Sequence, residues 1–576
     1  MKILLLHTDF VEWEPKKKAI KQAEEAKKGP VKVKEALVVL SAVEHSDEQN
    51  PAGVAKQVAA EVANVAGQVK AKNIVLYPYA HLSSNLSSPD TALAVLKGTE
   101  KLLKAKFSVQ RAPFGWYKAF DIKCKGHPLS ELSRDIGPKG RVKRDTQDAA
   151  EISQDQDDDV NYRQVLRDIA KSRLDREKLK PNDHRILGQQ MELFSFSEVA
   201  PGMAFWHPKG LVIWEELLKL WKKLHAEAGY VEIATPQVMD NKLWRISGHW
   251  EHYKDNMFLT AFENRPFAVK PMNCPGAMIV YKSKPISYRD LPLRIAEMGV
   301  VHRKELSGVL AGLFRLVRFT QDDAHIFCTE KQMEDEIRQI MQLTDKVYKI
   351  FGFRYDVELS TRPSKFMGEK KKWDKAEALL QKALVGMKMK YKINKGDGAF
   401  YGPKIDFHIK DSLGRSWQLA TIQLDFQMAE RFELTYKGED NHDHTPVMIH
   451  RVVYGAMERF IGILLEHLNG SLPVWLSPVQ ARVMSFTDRN VKAAQKVADQ
   501  LASACIRVDT DLGSSTVDHK VREAELQKLP YMIVVGDKEE KARTIAVRTR
   551  GEKKVKFGVK PDKFIEQVKK EIEAYK

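Results

Sequence analysis

A chain of 576 residues with 43% hydrophobic content is too long for one core and implies roughly three or four domains. Four cysteines, far apart and without a CxxC, exclude a disulfide framework and a local zinc ribbon, so any metal site must be assembled from distant segments. The formal net charge of +17 favours a polyanionic partner such as RNA, while the lack of a long uncharged apolar run and the early acid in MKILLLHTDF argue against a membrane span or signal peptide. A cytoplasmic protein with no membrane partner is expected.

In chain order, KILLLHTD reads as a short buried strand and KNIVLYPY, 72 to 79, as another. Between them, 50 to 71 carries the period of a helix through Val54, Val58, Val62, Val65 and Val69. This α/β domain is expected over 1–145. The acidic stretch RDTQDAAEISQDQDDDVN places a linker over 146–182. The largest domain, 183–473, has long helices interleaved with alternating strands. After PVWLSPVQ a second α/β module, 474–576, is expected from the strands VQARVMSF and PYMIVVG and the amphipathic helices VKAAQKVADQLASA and DHKVREAELQKL.

The central domain holds the chemistry. GVVHRKELSGVLAGLFRLVRFTQDDAHIFC reads as two strands joined by a Gly-rich loop. Counting by twos puts Val301, Arg303 and Glu305 on one face of the first, and Arg315, Phe319, Gln321, Asp323 and His325 on one face of the second. Guanidinium groups for phosphates and a ring for a base suit a nucleotide. HRVVYGAMERFIGILLEHLNG reads as a helix with Gly455 and Arg459 a turn apart. Upstream, GLVIWEELLKLWKKLHAEAGYVEIATPQV reads as a long helix and a strand ending at Pro236. Cys274, in MNCPGAM, is by itself open to three readings, a nucleophile, a metal ligand or a buried core residue.

These three stretches resemble motifs 1, 2 and 3 of class II aminoacyl-tRNA synthetases, whose antiparallel sheet fits the absence of a GxGxxG. KPMNCPG, RFTQDDAHIFC, FYGPKIDFHI and PVMIHR narrow the resemblance to the threonyl-tRNA synthetase family, through nearly all of 183 to 576. It implies a multidomain α/β and α+β chain with a class II antiparallel-sheet catalytic domain and a carboxy-terminal α/β anticodon-binding domain. The implied partners are ATP with Mg2+, L-threonine, tRNA(Thr) and a second copy in a homodimer.

Carried onto this sequence, the resemblance makes Arg303 the contact to the ATP α-phosphate and substrate carboxylate. Glu305 meets the adenine amino group and Phe319 stacks on the ring. Arg315 and Arg459 hold the β and γ phosphates, and Lys404 adds charge stabilisation. Gln418 and Gln423 match positions near the adenylate and the tRNA end; their odd spacing demands a bulge if both are to face the site. His249, in SGHW, matches the residue that helps deprotonate the tRNA 3′ hydroxyl.

Cys274, His325 and His450 match the family's three zinc ligands, which leaves one coordination position for substrate. Asp323 then accepts from the threonine hydroxyl, while Gln321, Tyr401 and Met272 shape the pocket. Ala277 stands where bacterial relatives usually carry histidine, so no role of that histidine applies here.

Serine differs from threonine by one methyl, worth about 1–3 kcal/mol, so an editing site is expected. MKILLLHTD, YPYAHLSS, PFGWYKAF and CKGHPLSE resemble the archaeal-type editing domain, a D-aminoacyl-tRNA deacylase-like fold, and the bacterial HxxxH pattern is absent. The resemblance implies a site lined by Lys18, His81, Tyr117, Lys118 and Glu131, with Lys18 one of three consecutive lysines. In the tail, Lys528, Glu539 and Arg548 match positions that read the anticodon. The rival expectation is a non-catalytic paralogue that binds tRNA or its own message.

Overall fold

Alternation of apolar and polar residues does not stop at Asp9: Val11 and Trp13 are buried between Glu12 and Glu14, so the first strand runs unbroken over Lys2–Lys18, well beyond the expected segment. The structure is a computed structural model that describes residues 1–136, 142–144 and 179–576 apart from Lys21, Lys28, Ser84, Pro128, Asn264 and Leu413. The linker expected over 146–182 lies outside the described residues except at its last few positions. Two units are distinguished, Met1–Asp148 and Ala149–Lys576, and each is described by itself.

In the first unit, Lys2–Lys18 is the hub of a seven-stranded sheet and pairs antiparallel with Val31–Ala42, Trp116–Cys124 and Glu131–Ile136. Helices Pro51–Gln68 and Pro89–Leu103 start where Asn50 and Ser88 side chains accept from backbone N–H groups and Pro fills the first turn. They pack Val54, Val58, Val62 and Val95 on one face. Register shifts at Thr8/Phe10 and Pro15/Lys17 bend the long strand. Its second half thereby brings Trp13 and Phe120 to within 6.5 and 5.6 Å of the Tyr77 ring.

The second unit contains an eight-stranded sheet in the order Val231–Glu232, Leu293–His302, Arg318–Cys328, Val447–Val452, Ser416–Asp425, Lys404–Lys410, Arg354–Ser360, Tyr391–Asn394. It is antiparallel except for the pairs at its two ends, which are parallel. Helices Pro208–Glu227, Met333–Ile350 and Met457–His467 bury Leu217, Leu220, Ile337, Ile340, Phe460 and Leu464 against Ile326, Ile422, Phe407 and Ile449. At roughly 1.5–3 kcal/mol for each fully buried large aliphatic or aromatic side chain, this side anchors the sheet, while the other face carries polar side chains beside a smaller apolar cluster.

Three boundaries differ from expectation. The motif 1 strand is two residues long, Val231–Glu232, rather than reaching Pro236. The two motif 2 strands end at His302 and begin at Arg318, so Arg303, Glu305 and Arg315 lie on the connecting loop. The motif 3 segment is not one helix: Val447–Val452 is a strand, Gly455 turns the chain at φ +80, and the helix begins only at Met457.

In the tail, Ala481–Ser485, Val508–Asp511 and Tyr531–Val535 are parallel and Ile545–Thr549 and Lys556–Val559 complete the sheet. Helices Val491–Ser503, Val517–Leu526 and Pro561–Glu573 cover it.

Candidate active site

Strand pairing builds the centre of the site. His325 stands opposite His450, His450 opposite Gln423 and Gln423 opposite Lys404, so one row across four strands carries four polar side chains on one face. Asp323 and Gln321 continue the same face along Arg318–Cys328. A bulge places Leu419 and Ala420 opposite Phe407 alone, which returns Gln418 to the face of Gln423 despite their odd spacing. Gln418 Nε2 donates to Asp406 Oδ1 at 2.6 Å, and Lys404 Nζ lies 2.9 Å from Asp406 Oδ2.

Cys274 opens the helix Cys274–Tyr281, whose Met278 and Tyr281 pack on Ile295, Phe327 and Met448. This seats the thiol beside the two imidazoles: the ligand atoms of Cys274, His325 and His450 lie within 4.8 Å of one another, all buried. Burial, with Asp323 and Asp425, pushes the Cys274 thiol well up, so a cation must compensate its thiolate. Burial, then His450 and Arg451, hold His325 neutral, the state that ligates a metal. His325 Nε2 is buried without a hydrogen-bond partner, and His450 Nε2 lies 2.9 Å from Asp425 Oδ2, a carboxylate able to fix that ring. These residues fit a zinc ion.

Around them stand the pocket residues. Asn273 Nδ2 donates to Asp323 Oδ2 at 3.3 Å, and a Cβ at Gly299 would strike that amide at 2.2 Å. Burial raises the Asp323 carboxyl to about 6 against the pull of His450 and Asn273. Met272 and Tyr401 pack on the Cys274 cluster, and the Tyr401 ring is 5.4 Å from His450. His249 is fully buried, with Nδ1 2.7 Å from Ser247 Oγ and Nε2 2.8 Å from Met272 Sδ.

The arginines approach from the loop and the last helix. Arg303 donates from Nε to Pro271 O at 3.2 Å and lies 5.0 Å over the Phe319 ring and 5.8 Å over Tyr253. Glu305 and Arg315 pair with each other at 2.9 Å. Burial, then Arg315, lower Arg459, whose buried Nε has no partner. Two guanidinium groups that repel one another, one of them unsatisfied, form a seat for a polyanion. Asn273, Asp425, Asp406 and Tyr253 were not singled out in the sequence; the acid closing the apolar strand SWQLATIQLD was the one visible signal among them.

In the first unit, Lys118 Nζ lies 5.0 Å over Tyr77, and His81 reaches the same cluster through Tyr79 at 5.4 Å. Lys18 stands opposite Trp116, two positions from Lys118 on that side of the strand, and Lys17 opposite Tyr117. Tyr117 alternates to the other side and is 63% exposed. Glu131 is exposed opposite Leu6. Burial lowers the Lys118 ammonium to about 8. In the tail, Glu539 follows the carboxyl end of Tyr531–Val535, whereas Lys528 precedes that strand and Arg548 stands opposite Met532 near its start.

Family models match three stretches: the Archaea-specific editing domain of threonyl-tRNA synthetase over residues 1–136, the class II tRNA synthetase core domain (G, H, P, S and T) over 258–468, and an anticodon binding domain over 476–571. The chain is 54% identical over 376 residues to threonine–tRNA ligase of Clostridium tetani and 53% identical over 397 residues to that of Carboxydothermus hydrogenoformans. These alignments cover 65% and 69% of this chain and only 59% and 62% of those curated relatives. Among solved structures, the RNA binding domain of threonyl-tRNA synthetase from Cryptosporidium parvum Iowa II is 39% identical, with a TM-score of 0.65, covering 67% of this chain and 98% of that one.

Proposed function

The chain belongs to the threonyl-tRNA synthetase family, and on that premise we propose that it attaches L-threonine to tRNA(Thr) at the expense of ATP, through a threonyl-adenylate. The observation that carries this reading is the buried Cys274, His325 and His450 constellation beside Asp323, on the sheet face that the arginines overlook. Cys274, His325 and His450 would hold zinc, which would supply a Lewis-acid position for the polar groups of the amino acid.

The chain's own residues do the rest. Asp323 accepts from the threonine hydroxyl, and Gln321, Tyr401 and Met272 close round the methyl. A site that demands a hydroxyl rejects valine, an isostere that lacks it, by about 10⁴ or more. Arg303 holds the substrate carboxylate against the α-phosphate for in-line attack, and pyrophosphate leaves toward Arg315 and Arg459. Magnesium accompanies ATP. Glu305 and Phe319 hold adenine; Lys404, Gln418 and Gln423 flank the adenylate. In transfer, His249 takes the proton of the tRNA ribose hydroxyl, for which its contact with Met272 must open.

The amino-terminal unit hydrolyses seryl-tRNA(Thr), with Lys18, His81, Lys118 and Glu131 around its site while Tyr117 faces the other side of its strand, and Lys528, Glu539 and Arg548 contact the anticodon. A cytoplasmic homodimer fits the chain: Leu211 and Val231 on the motif 1 helix and strand, and Val238 after it, are exposed apolar residues, and no helix among the described residues is long and apolar enough to cross a membrane.

One charging assay tests both halves. Wild-type protein should accumulate threonyl-tRNA but not seryl-tRNA, and Lys118→Ala should accumulate both. Because the Lys118 ammonium is charged below about pH 8 and neutral above, seryl-tRNA hydrolysis should fall as pH rises through that value. Lys118→Arg, charged throughout, should remove the fall. A wild-type profile flat between pH 7 and 9, with unchanged hydrolysis in Lys118→Ala, takes Lys118 out of the site.

A further inference from the structure

At the start of the second unit's described chain, Asp183, His184 and Glu466 bring three ligand-type groups within 4.8 Å. Every one is already engaged by a protein partner. Glu466 Oε1 receives the His184 backbone N–H at 3.0 Å and faces its Nδ1 at 2.6 Å; Arg415 occupies Oε2, and Arg185 occupies Asp183. His184 Nε2 accepts from the Leu313 backbone N–H at 2.9 Å, which places the ring proton on Nδ1. Both His184 and Glu466 are almost completely buried.

Leu313 lies in the short turn Gly312–Phe314, immediately before Arg315. Gly312 has φ +55, and a Cβ there would strike His184 Nε2 at 2.3 Å, so the turn is built against the imidazole. The Phe314 ring lies 4.2 Å from His184 and 4.4 Å from Trp417, and the Arg459 guanidinium stacks 5.5 Å over the other member, Trp417. Gly462 makes room for this stack: a Cβ there would meet Leu313 and Phe314 at 3.1 Å. One imidazole thus touches the turn that aims Arg315 and the aromatic pair under Arg459.

We propose that His184 is a positioning residue for the nucleotide: through the Leu313 N–H and the Phe314–Trp417 stack it holds Arg315 and Arg459 converging on one anion despite their mutual repulsion. The inference rests on the reading of those arginines as triphosphate ligands. Two substitutions separate the bonds. His184→Gln keeps an acceptor near the Nε2 position for Leu313, whereas His184→Asn keeps a donor near Nδ1 for Glu466 and loses that acceptor.

In threonine-dependent ATP–pyrophosphate exchange, His184→Asn should raise KM for ATP about tenfold with KM for threonine within about twofold of wild type, and His184→Gln should stay near wild type. Calorimetric binding of Mg–ATP to the same proteins should show the same order, whichever amino acid the enzyme activates. Equal ATP affinity in Asn and Gln variants, or parallel loss of ATP and threonine affinity, would overturn the positioning role. If His184→Asn does not fold, Phe314→Leu carries the test: its ATP affinity should fall without loss of threonine affinity, and an unchanged ATP affinity overturns the inference. Wild-type protein that binds Mg–ATP yet shows no threonine-dependent exchange would instead count against the functional reading alone.

Discussion

Cys274→Ser is expected to lower threonine activation by at least about 10³-fold, some 4 kcal/mol of transition-state stabilisation, with loss of bound zinc. The hydroxyl that replaces the thiol does not ionise, so two neutral imidazoles remain and the only anionic ligand is gone. The backbone has no reason to move. Cys274 opens a helix fixed by Met278 and Tyr281 in an apolar cluster and by Gly276 pressed on Thr235, where a Cβ would meet Thr235 at 2.7 Å. Affinity for ATP should therefore persist, because Arg303, Arg315 and Arg459 come from other segments. Substrate discrimination should fall along with rate, since on the proposed function the metal, together with Asp323, demands the hydroxyl that valine lacks. A serine variant that still activates threonine within tenfold of wild type would separate Cys274 from recognition.

Arg303→Gln is expected to lower kcat for exchange by about 10²–10³-fold, the range for removing one preorganised group aimed at developing charge. Arg303 is held in advance by Pro271 O and by the faces of Phe319 and Tyr253, so its charge is delivered without reorganisation. Glutamine keeps a donor and loses the charge. The cost should fall on kcat more than on KM for threonine, in contrast to the KM effect expected at His184 on the phosphate side. A kcat within about threefold of wild type would move the α-phosphate contact elsewhere.

How much of this was legible in the sequence depends on what each residue had to satisfy. The odd spacing of Gln418 and Gln423 left two readings, a bulge or one side chain facing elsewhere, and the strand pairing shows the bulge, because strand alternation is a local rule that one extra residue must break. Counting by twos carried Arg303, Glu305 and Arg315 beyond the true strand ends, because side-chain alternation in the sequence does not reveal where the ladder hydrogen bonds stop. The helix expected from His450 failed for a visible reason: Val452, Val453 and Gly455 are poor helix formers, and Gly455 takes φ +80. The three candidate metal ligands were different. No periodicity links Cys274 to His325 and His450; cross-strand register sets His325 opposite His450, packing of the helix Cys274–Tyr281 brings the thiol to them, and the sequence joins the three by resemblance alone. His184 and Trp417 carried no signal, because their importance lies in which backbone N–H and which ring they meet.

On the proposed function, zinc in the Cys274, His325 and His450 site selects the amino acid that this chain activates. The most direct test is ATP–pyrophosphate exchange with threonine, serine and valine, on protein of measured zinc content, before and after chelation and after zinc is restored. The protein should hold one zinc per chain and show exchange with threonine, weaker exchange with serine and none with valine, all lost on stripping and regained with zinc. Exchange that survives complete zinc removal, or zinc-replete protein that shows no threonine-dependent exchange, would contradict it.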